Sequence, residues 1–235
     1  MNANVHTRLT KHGLRELRAA TVAAAVACAL IVAAAWCVWR PLLAVLVVPL
    51  AVWAGVVWFF RDPERRIPDE PGVFVSPADG RVTDITPVGP DGPLGRDGVR
   101  IGVFMSLFDV HVNRCPDAAR VERIQHRPGA LLDARDPGAS ERNESATITM
   151  TVRRDGREYP FVVRQIAGLV ARRIVTDLSE GDRVARGQRI GMIKFGSRLE
   201  LLVPRELAAE VRVRVADRVR AGETVLVGSR SGATE

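Results

Sequence analysis

Thr147-Ile148-Thr149-Met150-Thr151-Val152 alternates polar and apolar side chains without a break, which is the period of a strand with one face buried and the other wet. Val211-Arg212-Val213-Arg214-Val215 repeats the pattern. Outward from these two stretches, residues 99–105, 161–166, 189–193, 199–203 and 224–227 are short apolar runs punctuated by Gly, Pro and Asp, and the same argument makes them strands. Only residues 130–134 and 205–209 have a composition that suits a short helix, and residues 87–98, with three prolines and four glycines, read as a surface loop.

One internal echo adds to the β reading. Gly181-Asp182-Arg183-Val184-Ala185-Arg186-Gly187-Gln188 returns 35 residues later as Ala216-Asp217-Arg218-Val219-Arg220-Ala221-Gly222-Glu223, each followed by an apolar run. This is the hairpin grammar of the small β-sandwiches that carry biotin or lipoate. The fold expected is therefore mainly β, a sandwich or barrel-like domain with lipoyl/biotinyl-like hairpins. A carrier function would need a lysine at a hairpin tip, and the chain has only Lys11 and Lys194. Lys194 closes an apolar run, so a membrane-tethered carrier-like β-domain without catalysis stands as the alternative.

The first 60 of the 235 residues are of another kind. Residues 19–39 and 42–60 carry no charge, and only Arg40-Pro41 separates them. Each run approaches the roughly 20 residues that cross the hydrocarbon core, and all four tryptophans, Trp36, Trp39, Trp53 and Trp58, lie within them. The organisation expected is a basic segment 1–18, a membrane helical hairpin 19–60 and a domain 61–235. Basic residues outside both ends of the hairpin place the domain on the cytoplasmic face of the cell membrane by the positive-inside rule. A cleaved signal peptide ending near Ala33-Ala34-Ala35 is the competing reading, disfavoured by the second apolar run. Arg40 at the tip leaves open whether the hairpin spans the bilayer or dips into one leaflet.

The formal net charge is +7, of which the first 60 residues hold +4, with five basic residues against Glu16. The remaining +3 is spread among acids and strand residues, with few aromatic platforms, and does not call for nucleic acid. Cys28 and Cys37 lie in the apolar runs and Cys115 stands alone, so neither a disulfide framework nor a zinc ligand set can be assembled.

Phe60-Arg61-Asp62-Pro63, Val75-Ser76-Pro77-Ala78-Asp79-Gly80-Arg81-Val82, Phe104-Met105-Ser106-Leu107-Phe108-Asp109-Val110-His111-Val112-Asn113-Arg114-Cys115-Pro116 and Lys194-Phe195-Gly196-Ser197 follow one another in that order. Together they closely resemble the phosphatidylserine decarboxylases, in their short, type A form, over about residues 58–204. The resemblance implies a proenzyme that cuts itself between Gly196 and Ser197 without an external protease, giving a β chain 1–196 and an α chain 197–235. It implies that Ser197 becomes a pyruvoyl group, so that no pyridoxal phosphate or metal is needed. It also implies that this ketone condenses with the amine of phosphatidylserine in the bilayer, giving phosphatidylethanolamine and carbon dioxide. The two chains would form a heterodimer, with a dimer of these left open.

A serine hydroxyl needs a base and an orienting group, and the resemblance gives those roles to His111 and to Asp79 in the Pro-Ala-Asp-Gly turn. Many longer members carry two histidines three positions apart, whereas this chain has His111 and Arg114. Either His111 serves both processing and decarboxylation or another group replaces the base, and His126 is a substitute candidate. His6 and His12 precede the membrane runs. Arg61, Arg65 and Arg66 either offer cations to acidic headgroups, at on the order of 1 kcal/mol each, or only set topology. Asn143-Glu144 echoes a family Asn-Glu segment, and no catalytic role is expected of it.

Overall fold

Ser197–Pro204 forms a strand in which every residue is buried, flanked on both sides by antiparallel neighbours. The architecture is built around it. The structure, a computed structural model, describes residues 9–130, 132–134, 136, 138–169, 174–194 and 196–228. The chain divides into two compact units, 1–64 and 65–235.

In the first unit, α1 (Leu14–Cys37) and α2 (Val47–Phe59) are joined by a 3-10 stretch, Arg40–Leu46, with its proline in the first turn where no backbone donor is lost. Two segments, Lys11–Cys37 and Arg40–Phe59, are long and apolar enough to cross a membrane. The two helices run back to back, and the Trp53 indole Nε1 donates to Thr21 Oγ1 across them at 3.1 Å. This is the apolar helical pair that the sequence predicts.

The second unit is nearly all antiparallel β. Its strands are β1 (Val73–Val75), β2 (Gly80–Val88), β3 (Gly98–Met105), β4 (Val112–Arg114), β5 (Ala119–Arg127), β6 (Ser145–Arg154), β7 (Arg157–Ile166), β8 (Ile174–Thr176), β9 (Arg183–Val184), β10 (Arg189–Ile193), β11 (Ser197–Pro204), β12 (Glu210–Val211), β13 (Arg218–Val219) and β14 (Val225–Gly228). One turn of helix, α3 (Ala139–Arg142), precedes β6. The main sheet has eight strands in the order β13-β2-β3-β11-β7-β6-β5-β9, curled into a half-barrel, and two three-stranded sheets, β1-β14-β12 and β4-β10-β8, complete the unit.

Alternation along β11 sorts its two faces. Leu199, Leu201 and Val203 join Ile101, Val103, Ile148, Met150, Phe161 and Val163 in the core, each such burial stabilising the fold by about 1.5–3 kcal/mol. Arg198 and Glu200 point to the other face. There Glu200, fully buried, accepts from Ser140 Oγ at 2.7 Å and from Arg198 Nε at 3.1 Å, with Arg164 Nη1 3.8 Å away. Arg198 also donates to Thr83 Oγ1 at 2.8 Å and to Asp84. A buried carboxylate survives there because cations and a hydroxyl surround it.

The 35-residue echo has a structural counterpart. Its two copies supply β9 and β13, which sit at opposite edges of the main sheet. Gly181 N–H donates to the Val121 carbonyl and Val121 N–H to that of Asp182; Ala216 N–H donates to the Val82 carbonyl and Val82 N–H to that of Asp217. Ala216 even shares the left-handed backbone of Gly181, with φ of 77° and 92°. The partners are themselves a second pair, Ser76-Pro77-Ala78-Asp79-Gly80-Arg81-Val82 and Cys115-Pro116-Asp117-Ala118-Ala119-Arg120-Val121. They meet through reciprocal bonds, Arg114 N–H to the Pro77 carbonyl at 2.9 Å and Val75 N–H to the Pro116 carbonyl at 3.0 Å. The unit therefore contains an approximate internal two-fold.

Four details differ from the sequence reading. The alternating run 211–215 enters a strand only at Val211, because Val213 to Val215 lead into the turn at Ala216. Residues 205–209 form a hydrogen-bonded turn rather than a helix, with Leu207 and Ala208 N–H both donating to the Pro204 carbonyl. Of residues 130–134, Leu131 lies outside the described residues, and the others are extended or turn, with Asn143 occupying the Leu132 backbone groups that a helix would use. The expected loop 87–98 begins two residues later, since Pro87 and Val88 still pair with Val99 and Gly98.

Candidate active site

Ser197 opens β11 directly opposite Met105, the last residue of β3. Its side chain points to the core face and is fully buried, and among the described residues its Oγ has no hydrogen-bond partner. An orphan buried hydroxyl costs about 1–3 kcal/mol and calls for an explanation, of which a catalytic role is one.

The residue before it takes a backbone conformation that L side chains rarely adopt. Gly196 has φ +53°, in the left-handed region, and a Cβ added there would meet nothing within 4 Å. Backbone angle, not space, selects glycine at this position. Gly168 is the reverse case, because a Cβ built on it would lie 2.0 Å from the Gly196 carbonyl oxygen. The Gly168 backbone thus lies directly against the carbonyl of the Gly196–Ser197 bond. Asn143 fixes that contact from behind. Fully buried, it donates to the carbonyls of Ala167 and Leu132, both at 2.8 Å, and accepts from Leu132 N–H at 3.0 Å.

His111 follows the turn that leaves β3. Asp109 caps this turn by accepting from Ser106 N–H at 2.9 Å and Ser106 Oγ at 2.6 Å. The His111 Nδ1 lies 2.9 Å from the Asp109 carbonyl, which can only accept, so Nδ1 carries a proton and, in the neutral ring, Nε2 carries the lone pair. The ring is buried, and the His111 carbonyl accepts from Ile193 N–H at 3.4 Å, at the end of the strand that runs toward Gly196. Beneath lies a buried polar chain: Thr176 Oγ1 donates to Gln165 Oε1 at 3.2 Å, Gln165 Nε2 to Asn113 Oδ1 at 2.8 Å, and Asn113 Nδ2 contacts Met105 Sδ at 3.7 Å.

Asp79 sits in the turn before β2. Its carboxylate accepts from Arg65 Nη2 at 2.8 and 3.0 Å and from Ala221 N–H at 2.7 Å. Burial pushes the Asp79 carboxyl above its ordinary range; the Arg65 guanidinium and the Ala221 N–H pull it down, and nearby Asp109 adds to the rise. In the other half of the internal two-fold the matching position is Ala118, and the carboxylate stands one residue earlier, as Asp117 bound by Arg154 and Arg186. The two halves have diverged at the position of this carboxylate.

The remaining candidates take structural places. Arg65 is almost fully enclosed, with Glu223 3.8 Å from its other nitrogen, and is committed to Asp79 rather than to a lipid headgroup. Arg114 is buried and donates to the Gly187 carbonyl at 3.0 Å. His126 is exposed on β5, three strands from β11 and roughly 14 Å along the sheet at ordinary strand spacing, so it does not substitute as the base. Lys194 is buried at the end of β10 and offers no hairpin tip for a carrier group. The Cys115 thiol is buried and pushed up to about 12, which leaves it inert as a nucleophile. Among the described residues no group of three or more His, Cys, Asp or Glu side chains is placed to hold a metal ion. His6 and Phe195 lie outside the described residues.

The family profile described as phosphatidylserine decarboxylase matches residues 53–227. The chain belongs to the phosphatidylserine decarboxylase family. A relative from Symbiobacterium thermophilum, named phosphatidylserine decarboxylase proenzyme, is 47% identical over 75% of this chain and 81% of its own. Another of that name, from Rhodopirellula baltica, is 40% identical over 94% of this chain and 88% of its own, and a third, from Paramagnetospirillum magneticum, is 45% identical over 77% and 79%. The phosphatidylserine decarboxylase match covers β1 through β13 and all but the last residue of β14, with Asp79, His111, Gly168, Gly196 and Ser197 inside it. Sequence reasoning singles out four of these five residues as candidates. Gly168 was missed because an Ala-Gly-Leu step after a strand looks like any turn, and its meaning depends on a carbonyl 28 positions away.

Proposed function

We propose that this protein is a membrane-held proenzyme that breaks its own Gly196–Ser197 bond and then decarboxylates phosphatidylserine to phosphatidylethanolamine. The observation that carries the reading is the buried Ser197 Oγ, without a hydrogen-bond partner among the described residues, one peptide bond after a left-handed glycine, in a chain of the phosphatidylserine decarboxylase family.

The Ser197 Oγ adds to the Gly196 carbonyl carbon, the C–N bond breaks, and the hydroxyl proton ends on the departing nitrogen, so an amide becomes an ester. Loss of the Ser197 α-proton then expels the Gly196 carboxylate from Cβ. The dehydroalanine that remains takes up one water, releases ammonia and leaves a pyruvoyl group at position 197. His111 Nε2, basic because Nδ1–H is directed at the Asp109 carbonyl, is the proton acceptor in this reading. Asp79 would act through charge, as a negative group beside Asp109 whose position Arg65 and the Ala221 N–H hold. The contact of Gly168 with the Gly196 carbonyl fixes the bond under attack.

The pyruvoyl ketone supplies the electron sink that decarboxylation of an α-amino acid headgroup requires. His111 then returns a proton to the carbon that lost carbon dioxide. Residues 1–196 and 197–235 form the β and α chains and stay together as a heterodimer. In this reading the two apolar helices tether the catalytic unit to the cell membrane, and the basic flanks, Arg8 to Arg18 and Arg61 to Arg66, support the cytoplasmic face by the positive-inside rule.

Intact mass spectrometry tests the reading directly. The wild type should give two fragments, the smaller lacking a free amino terminus, whereas Ser197→Ala should give one chain at 25.6 kDa and Ser197→Cys a slowed split. Normal splitting of the alanine variant would remove Ser197 as the nucleophile.

A further inference from the structure

Among the described residues the catalytic unit strongly exposes only four large apolar side chains: Leu107 at 48%, Phe108 at 78%, Leu169 at 66% and Val215 at 56%. Four isolated apolar residues would need no explanation. Their positions do. Leu107 and Phe108 stand two and three residues past Met105, the register partner of Ser197. Leu169 follows Gly168, which lies against the Gly196 carbonyl. Three of the four thus sit on the two loops that bracket the Gly196–Ser197 bond. Val215 belongs to the same region, since it stands three residues before Arg218, whose guanidinium reaches Asp109 in the Leu107–Phe108 loop at 3.9 Å. The Arg218 side chain is itself 76% exposed.

We infer that Leu107, Phe108 and Leu169 form an apolar rim around the mouth of the Ser197 site and dip into the bilayer interface, with Arg218 beside them on anionic headgroups. The inference rests on the phosphatidylserine reading of the site. A diacyl lipid cannot leave the bilayer cheaply, because each exposed methylene costs about 0.8 kcal/mol. The mouth must therefore come to the membrane rather than the lipid to the mouth. Side chains such as Phe and Leu beside a basic residue are what an interfacial contact of this kind uses. The membrane-length helices of the other unit keep the chain at the bilayer, but a tether alone does not turn the mouth toward the surface. The rim supplies that orientation.

The test compares two substrates on the full chain after self-cleavage. One is long-chain phosphatidylserine in vesicles of phosphatidylcholine and phosphatidylglycerol; the other is a short-chain phosphatidylserine below its micelle concentration. For the double variant Leu107→Ser/Phe108→Ser, and separately for Leu169→Ser, the ratio of vesicle to short-chain turnover should fall about tenfold, the scale of losing one apolar anchor from the interface. Phe108→Trp should keep the ratio of the wild type, because indole suits the headgroup level. An unchanged ratio in the serine variants overturns the rim, and so does a failure of those variants to self-cleave, which would make the loop part of processing. If the wild type itself never splits, the functional reading fails, independently of the rim.

Discussion

Gly168 and Gly196 make opposite demands on an added methyl group. At Gly196 there is space but a φ of +53°, so alanine costs backbone strain of roughly 1–2 kcal/mol and displaces nothing. At Gly168 the methyl would push directly on the carbonyl of the bond proposed to break. Self-cleavage should therefore slow about tenfold in Gly196→Ala but about a hundredfold in Gly168→Ala, where the reacting carbonyl is moved. Following the uncleaved fraction over time by mass spectrometry decides it, and a slower Gly196→Ala would mean that the close approach does not govern the reaction. Asp79 supports a second prediction. Because burial raises its folded pKa above that of the unfolded chain, the native state binds the proton more tightly. Relative to Asp79→Asn, its contribution to stability is greatest below the unfolded pKa and is lost as pH rises through the folded one. Melting temperatures of the wild type and Asp79→Asn should accordingly draw apart, in favour of the wild type, as pH falls through that window. Parallel profiles would show that Asp79 titrates alike in both states.

β11 begins at the bond proposed to break, and it is also the strand between β3 and β7. A cut at its first residue leaves eight register pairs to β3 and five to β7 in place, together with β13 on β2 and β14 on β1. The two chains should therefore co-elute on size exclusion in mild detergent and separate only in denaturant. Elution of the small chain alone under native conditions would contradict this. β6 was legible because it is half-buried and alternates from Thr147 to Val152, and β3, β7 and β11 because each holds a short apolar run that is largely buried. β5 escaped notice because it lies next to the sheet edge with mostly exposed residues, and a bulge between Val121 and Arg123 breaks its period. Arg212 and Arg214 gave residues 211–215 the look of a strand for a reason unrelated to pairing. Val211 alone of the five is paired with β14, and Val213 is buried on its way to the turn at Ala216.

At the scale of the molecule, what could be read from sequence was contiguous and what could not was distant. Pro-Ala-Asp-Gly, the His111 segment and Gly196-Ser197 each carry their signal within a few residues. The Arg65 fork on Asp79 spans 14 residues, the Gln165–Asn113 bond 52, and the Ala221 N–H on Asp79 142. No local pattern announces such partners. The echo at 181–188 and 216–223 was visible in the sequence as a repeat of turns, but its geometric sense, two copies serving opposite ends of one sheet, required the fold. That placement matters if the two membrane-length helices concentrate the protein on a two-dimensional surface, as proposed above. Each border of the eight-stranded sheet ends in a strand only two residues long, which leaves little ladder for a neighbouring copy to extend. Neighbours held side by side on a lipid sheet can collide often without zipping together, so crowding need not become polymerisation.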